Sequence, residues 1–526
     1  MRTISRFLLG VLVCGFSYVS VVAQCPARPN PGTVVRDALS LNSQNGTLNA
    51  DFIMGHSVDV FGYTHYCYSY NTGSGYVESP TLRLNPGDFL VLGIKNHIQE
   101  SDPDGMKMDM PPSGKICGDN GPVTISSTNV HFHGLNVPPI CHQDDVINTL
   151  IEPGTPGFRY DMQIPKQEPS GLYWYHPHIH GFTEFQVNGG AAGALIVNGI
   201  EKLYPQVAGL TERVFTIRQQ YLVPWIPGPY QLSINYQVAA FPNSPSPIIQ
   251  MKPGEKQFWR VTNATIQDFL QLQFVVNGTP AQFELIALDG YPLAHARMET
   301  SVLIPPAGRA EFVVVAPPSG SQAQFLTQSY STGPTGNPDL EQILGQIQLT
   351  NDPEKGSQVS KMPAAPASPA QLATKYTDLS TATVTANRKL YFSEEFGGTN
   401  GPIQFYITVD GDKQRVFQPE EKPVITTKVG AVEEWTIENR ALETHAFHIH
   451  QIHFKVLEID GKPAANQDLM DTIPIPFWEG PGTPYHSVKL LMDFRDPTIA
   501  GTFVFHCHIL LHEDLGMMHK ILVEPN

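Results

Sequence analysis

Apolar and polar residues alternate with a period of two along much of the chain, the pattern of strands that bury one face. Residues 81–94 carry two such runs joined by Asn85-Pro86-Gly87. The same form returns at residues 249–261 and 424–437, with turns at Gly254 and Gly430. Each copy ends near an asparagine: Asn96, Asn263 or Asn439. One structural unit is thus used three times. A spacing of about 170 residues means repeated domains, since a solenoid repeats every 20–50 or so. Short strands bounded by turn residues predict β-sandwiches. The length of 526 residues suits roughly three domains of about 150 residues each. The expected fold is all-β, with three tandem Greek-key β-sandwich domains at residues 25–202, 203–350 and 390–526. Residues 351–389, rich in Pro, Ala, Ser and Thr, read as an extended linker.

Composition narrows the function. The 46 Pro and 44 Gly fit many turns and few long helices. A net charge of -16 argues against nucleic-acid binding, which needs basic patches to release counterions from phosphates. It is compatible with cationic or neutral small substrates. The N-terminus reads as a secretory signal over residues 1–24. Arg2 and Arg6 precede an apolar run from Phe7, and Val21, Val22 and Ala23 offer a cleavage site. Paired arginines are absent, and the run is short for a membrane span. A secreted or periplasmic protein is expected, acting as a monomer without a membrane span. Cys25 follows a poor lipidation signal. In an oxidising compartment Cys25, Cys67, Cys117 and Cys141 would pair, in any of three connectivities, and Cys507 would be left. A Cys117–Cys141 bridge would pin the loop that follows the first His pair.

The candidate chemistry lies in histidines. Most of the 19 fall in four clusters: His131 and His133; His176, His178 and His180; His445, His448 and His450; and His506, His508 and His512 around Cys507. A lone strand histidine is usually structural, but four His-x-His pairs are a metal-binding pattern. Residues i and i+2 of a strand share a face, so each pair aims two imidazoles into one space. In His506-Cys507-His508 the two imidazoles face one way and the thiol the other. Cys507 can therefore bind a separate metal a few bonds from both rings. A Cys thiolate, two His and a weak axial thioether form a blue-copper donor set. His445, His512 and Met517 are available for it. Zinc accepts Cys and His too, but it has no redox use for this wiring.

These motifs resemble those of the multicopper oxidases, over the whole mature chain. The family implies cupredoxin-like domains, the middle one copper-free, and four coppers per chain. It assigns His445, Cys507 and His512 to the type 1 copper, with Met517 axial. It assigns His131 and His448 to the type 2 copper, and His133, His176, His178, His450, His506 and His508 to the type 3 pair. His180 and His453 fall outside the ligand pattern. The resemblance implies that single electrons enter at the type 1 site and that dioxygen is reduced to water at the other three coppers. Proton delivery needs a carboxylate. Glu513 is one candidate. Asp144 or Asp145 is the other, because the family places an Asp shortly after His-x-His-Gly; simple counting reaches His142 instead.

Two features depart from relatives. Gln451 follows the third motif where many carry Gly, and the Met-rich insertion of bacterial cuprous oxidases is absent. Met106, Met108 and Met110 alternate locally and could offer thioethers to Cu(I), though a surface loop explains them as well. The leading reading is a laccase-like oxidase of phenols and aromatic amines. A metallo-oxidase acting on Cu(I), Fe(II) or Mn(II) is the alternative within the family. A copper nitrite reductase would not need the full type 3 set, and a non-enzymatic copper-binding protein would have lost ligands. An axial Met517 sets a low-to-moderate potential for the blue copper; redox titration of the copper-loaded protein should find it, and a high potential would contradict coordination by Met517.

Overall fold

The structure, a computed structural model, describes residues 25–59, 62–99, 107–108, 117–118, 122–220, 231–239, 245–352, 360–364, 378–396 and 403–526. The leader-like residues 1–24, Met106 and Met110, and residues 353–359 and 365–377 of the expected linker lie outside them. Three β-sandwiches follow one another. The first packs the sheet of Ser40–Asn42, Thr81–Leu84, Gly193–Val197, Gly171–His176 and His131–His133 on a sheet centred on Phe89–Asn96 and Thr47–Val58. The third packs a sheet centred on Ala431–Asn439 and His486–Phe494 on Ile425–Lys428, Met518–Glu524, Gly501–Cys507, His445–Ile449 and Thr472–Ile475. The middle one has a larger sheet around Thr211–Gln220 and Lys256–Ala264. Among the described residues no helix is long and apolar enough to cross a membrane.

The thrice-repeated sequence unit is a thrice-repeated piece of topology. Phe89–Asn96, Lys256–Ala264 and Ala431–Asn439 each pair in parallel with an upstream strand and antiparallel with a downstream one. The turn before each is made by Gly87, Gly254 or Gly430, at φ of +90°, +74° and +95°. This left-handed region is open to glycine without a Cβ clash. The asparagine at each strand end does one job three times. Asn96, Asn263 and Asn439 accept, through Oδ1, the backbone N–H two residues on, and donate from Nδ2 to two backbone carbonyls. The carboxamide replaces ladder bonds where the strand leaves its sheet. Four residues before two of these asparagines, Trp259 and Trp435 fill the sandwich interiors, and each indole N–H finds an acceptor, Gln257 or Glu433, at 2.9 Å.

The last sandwich starts earlier than the composition suggested. Ala386–Phe396 is one strand, so residues 386–389 are not linker. Arg388 and Lys389 look like a polar spacer, but they face Glu433 at 2.7 Å and Glu438 at 2.8 Å across the sheet. Ser360–Lys361 also adds a short pairing to the start of Thr211–Gln220.

Buried charges hold the sandwiches together. Arg83 of the first and Arg260 of the middle sandwich share Glu212, at 2.7 and 2.6 Å. Asp514 of the last accepts the backbone N–H groups of Gly181, Thr183 and Glu184, at 3.0, 3.1 and 2.8 Å. It thereby satisfies free donors at the start of the helix Thr183–Asn188 in the first. This brings an edge of the first sandwich against an edge of the third. Replacing Asn263 by alanine removes the bonds to two buried carbonyls and one N–H, and since the Asp268 carbonyl keeps the Thr265 hydroxyl at 3.1 Å the cost is about 2–3 kcal/mol. Calorimetry of Asn263→Ala should show a midpoint lower by roughly 5–10 °C; an unchanged midpoint would mean the capping bonds are dispensable.

Candidate metal centre

Eight imidazoles from two sandwiches meet in one buried space. Antiparallel pairing of His131–His133 with Gly171–His176 sets His131 opposite His176. In the third sandwich, His445–Ile449 pairs with Gly501–Cys507 so that His448 lies opposite His506. The two halves interlock ring on ring: His131 stacks on His450 with centroids 3.9 Å apart, and His133 on His448 at 4.0 Å. Ligand nitrogens gather in three groups, each within 4.8 Å, the first two sharing His133: His131, His133 and His448; His133, His176 and His508; and His178, His450 and His506. All eight histidines are buried.

On the other face of the Gly501–Cys507 strand, the Cys507 sulfur lies 3.5 Å from His445 Nδ1 and 3.9 Å from His512 Nδ1, and those nitrogens are 3.3 Å apart. Cys507 sits opposite Phe447 in the third core. Met517 belongs to the same core, is fully buried, and accepts the Cys507 N–H at its carbonyl, 3.1 Å away. Cys25–Cys67 and Cys117–Cys141 are disulfides, so among the described residues Cys507 is the free thiol. The first bridge occupies the sulfur that lipidation of Cys25 would need.

The carboxylates divide by position. Asp144 is buried with both oxygens 3.0 Å from His131 Nδ1, and accepts the Phe132 N–H at 2.9 Å and the Gln451 side-chain N–H at 2.5 Å. Glu513, fully buried, has Oε2 3.1 Å from His506 Nδ1 and Oε1 3.5 Å from His178 Nε2. Asp145 turns the other way and holds the Asn148 amides at 2.9–3.2 Å. His142, the position reached by counting, stacks on Phe158 and is exposed. His180 packs edge-on to Phe417, and His453 donates from Nε2 to the Asp289 carbonyl at 2.8 Å. Neither belongs to any of the ligand groups.

Sequence reasoning missed three sets of residues. Asp471 lies 3.3 Å from His133 Nε2 and is clamped by Arg309 of the middle sandwich. Glu394 Oε1 is 3.4 Å from His445 Nε2, and Glu443 Oε2 is 3.6 Å from His512 Nε2. Phe405 stacks on the His512 ring at 3.9 Å. None carries a local motif. Glu443, two residues before His445, offered the one positional hint.

The donor set fits copper. Burial and neighbouring imidazoles push His133, His176, His448, His450 and His508 well below the usual imidazole range, and His178 down to about 3, so they are neutral donors at neutral pH. Buried nitrogens of His131, His133, His176, His448, His450 and His508 lack any protein partner. Unpaired buried polar atoms are costly and call for a ligand. The opposite nitrogens of several rings are held by acceptors: Asp144 for His131, the Pro177 carbonyl for His176, and the Asp471 carbonyl for His448. Such outer partners orient ligating imidazoles. Burial pushes the Cys507 thiol up, so a bound cation is what would favour its thiolate. A soft thiolate with two imidazoles suits copper, and imidazole clusters do too.

Comparison with known proteins agrees. Two family models described as multicopper oxidase match residues 123–202 and 396–526. A multicopper oxidase of Staphylococcus haemolyticus is 26% identical over 472 residues, covering 86% of this chain and 83% of its own. A laccase of Haloferax volcanii is 26% identical over 437 residues, covering 77% of this chain and 69% of its own. Among solved structures, a multicopper oxidase from Campylobacter jejuni described as a metallo-oxidase superimposes with a TM-score of 0.68 at 22% identity, over 94% of this chain and 96% of that one.

Proposed function

We propose that this chain is a copper-dependent oxidase of the multicopper oxidase family that takes single electrons from a small reducing substrate and uses four of them, with four protons, to reduce dioxygen to two waters. The observation that carries this reading is the two-faced strand Gly501–Cys507, with Cys507 beside His445 and His512 and with His506 among the eight clustered imidazoles. In this reading Cys507, His445, His512 and Met517 hold one copper. His131 and His448 hold a second. His133, His176 and His508 hold a third, and His178, His450 and His506 a fourth. Copper supplies the one-electron redox chemistry at all of these positions.

The chain's own residues supply the rest. The backbone between Cys507 and its two neighbours would be a short covalent path for electrons from a copper held by the Cys507 thiolate to His506 and His508. Glu513, between His506 and His178, is suited to hold a proton at Oε1 or Oε2 for delivery to reduced oxygen. Asp144 fixes the His131 ring and links it to Gln451. Asp145, engaged with Asn148, has no part in this scheme. Burial of the cluster keeps bulk water from the reacting oxygen.

The donor is read as a reducing metal cation of the harder kind, such as Fe(II) or Mn(II). Two carboxylates, Glu394 and Glu443, stand against the outward nitrogens of both Cys507-group histidines. Burial and the neighbouring Glu394 push the Glu443 carboxyl up to about 8, as happens when two acids are crowded together. A cation between them would meet hard oxygen donors within reach of both imidazoles. A phenolic or aromatic-amine donor is the second reading, favoured by Phe405 stacked on His512 and by the laccases among the relatives. Steady-state oxygen uptake decides between them. Glu443→Gln should raise KM for Fe(II) about tenfold or more, since removing one partner of a close charge pair costs 1.4 kcal/mol or more, and should shift KM for a phenol far less. Efficient turnover of phenols with no response to Fe(II) or Mn(II) would reverse the assignment.

A further inference from the structure

The middle sandwich supplies none of the clustered imidazoles, yet Arg309, at the start of its strand Arg309–Val315, reaches them. Arg309 is fully buried. Its Nη1 and Nη2 donate to the two oxygens of Asp471 at 2.8 and 2.6 Å. The same guanidinium is braced by the carbonyls of Ala307, at 3.1 Å, and Leu172, at 3.2 Å. Asp471 turns toward two imidazoles at once. Its Oδ1 lies 3.3 Å from His133 Nε2, and its carbonyl accepts the His448 Nδ1 proton at 2.8 Å. Those two rings are the stacked pair that joins the first sandwich to the third.

The middle sandwich also holds the main chain of this segment. Asp289 accepts the Arg309 N–H at 2.8 Å through Oδ1, and the N–H groups of Asp471 and Thr472 at 3.3 Å through Oδ2. Thr472 in turn places its hydroxyl 3.1 Å from His448 Nδ1. Space has been cleared for this assembly. A Cβ on Gly134, the glycine that follows His131-Phe132-His133, would stand 2.5 Å from Arg309 Nη2 and 2.8 Å from Asp471 Oδ2, and Gly134 has a φ of +90°. Any larger residue there would displace the ion pair.

Neutralising a buried aspartate requires a positive charge nearby. It does not require a two-pronged contact with both oxygens, which fixes the plane and rotation of the carboxylate. Carboxylates and carbonyls behind a ligating imidazole set its tautomer and ring angle. We propose that Arg309 is a positioning residue of the oxygen-reducing centre: from the middle sandwich it fixes Asp471, and through Asp471 the His133 and His448 rings. The inference rests on the reading that these imidazoles hold copper.

Arg309→Lys separates positioning from charge, because lysine keeps the cation and loses the fork. Copper-loaded full-length protein is dialysed against a chelator. Retained copper, the paramagnetic resonance spectrum of the copper not bound to thiolate, and the thiolate-to-copper absorption are then measured. Arg309→Lys and Arg309→Met should both keep the thiolate band, release copper from the histidine cluster with affinity lower by about 10- to 100-fold, and alter the resonance spectrum. Arg309→Lys matching the wild type in both cluster readouts would overturn the inference. If Arg309→Met loses the thiolate band as well, Asp471→Asn decides, since it keeps volume and the carbonyl to His448; an unaltered spectrum there overturns the inference too. Wild-type protein that holds no copper among the histidines would instead overturn the functional reading beneath it.

Discussion

Side chains on a strand alternate between two faces, and Gly501–Cys507 uses both. Its register with His445–Ile449 puts Cys507 beside Phe447 and His506 beside His448. One face therefore belongs to the apolar core that holds Cys507, Met517 and the ring of Phe447. The other belongs to the imidazole cavity. A slip of one residue would exchange the two sets, sending the thiol into the cavity and a histidine into the core. The packing of the third sandwich is thus also the condition for its chemistry.

The second half of the cavity comes from far away in the chain, so its position depends on how the sandwiches dock. Docking uses buried charges as well as apolar contacts such as Val187, Ile266 and Leu510, one from each sandwich. Glu212 lies between Arg83 and Arg260, Asp514 satisfies a helix start in the first sandwich, and Asp471 is clamped by Arg309. Each of these ion pairs or caps would be costly if a partner were missing. They consequently define one mutual placement of the sandwiches, and the stacked pairs His131–His450 and His133–His448 depend on it. The disulfide Cys117–Cys141 adds a covalent tie at the loop that delivers Asp144 to His131.

What could be read from the chain alone was local and periodic. The alternating runs around Gly87, Gly254 and Gly430 disclosed a repeated unit, and the asparagine closing each proved to be its cap. The His-x-His spacing disclosed shared faces, and the parity of Cys507 against His506 and His508 disclosed two sites. What escaped was set by tertiary contact. Arg309 and Asp471 are 162 residues apart and neither stands in a motif. Glu394 and Glu443 matter because a hairpin and a loop converge on His445 and His512. Asp144 and Asp145 were indistinguishable as neighbours, yet backbone geometry turns one to His131 and the other to Asn148. Residues 386–389 read as linker by composition, because their polar side chains pair across a sheet that only folding creates.

The account stands on two metal sites of different kinds back to back on one strand. Anomalous X-ray scattering at the copper absorption edge, from crystals of the copper-loaded protein, tests this directly. The account predicts one peak beside Cys507 and three among the eight histidines. A single peak at Cys507 with an empty histidine cavity, or peaks that follow the zinc edge instead, would contradict it.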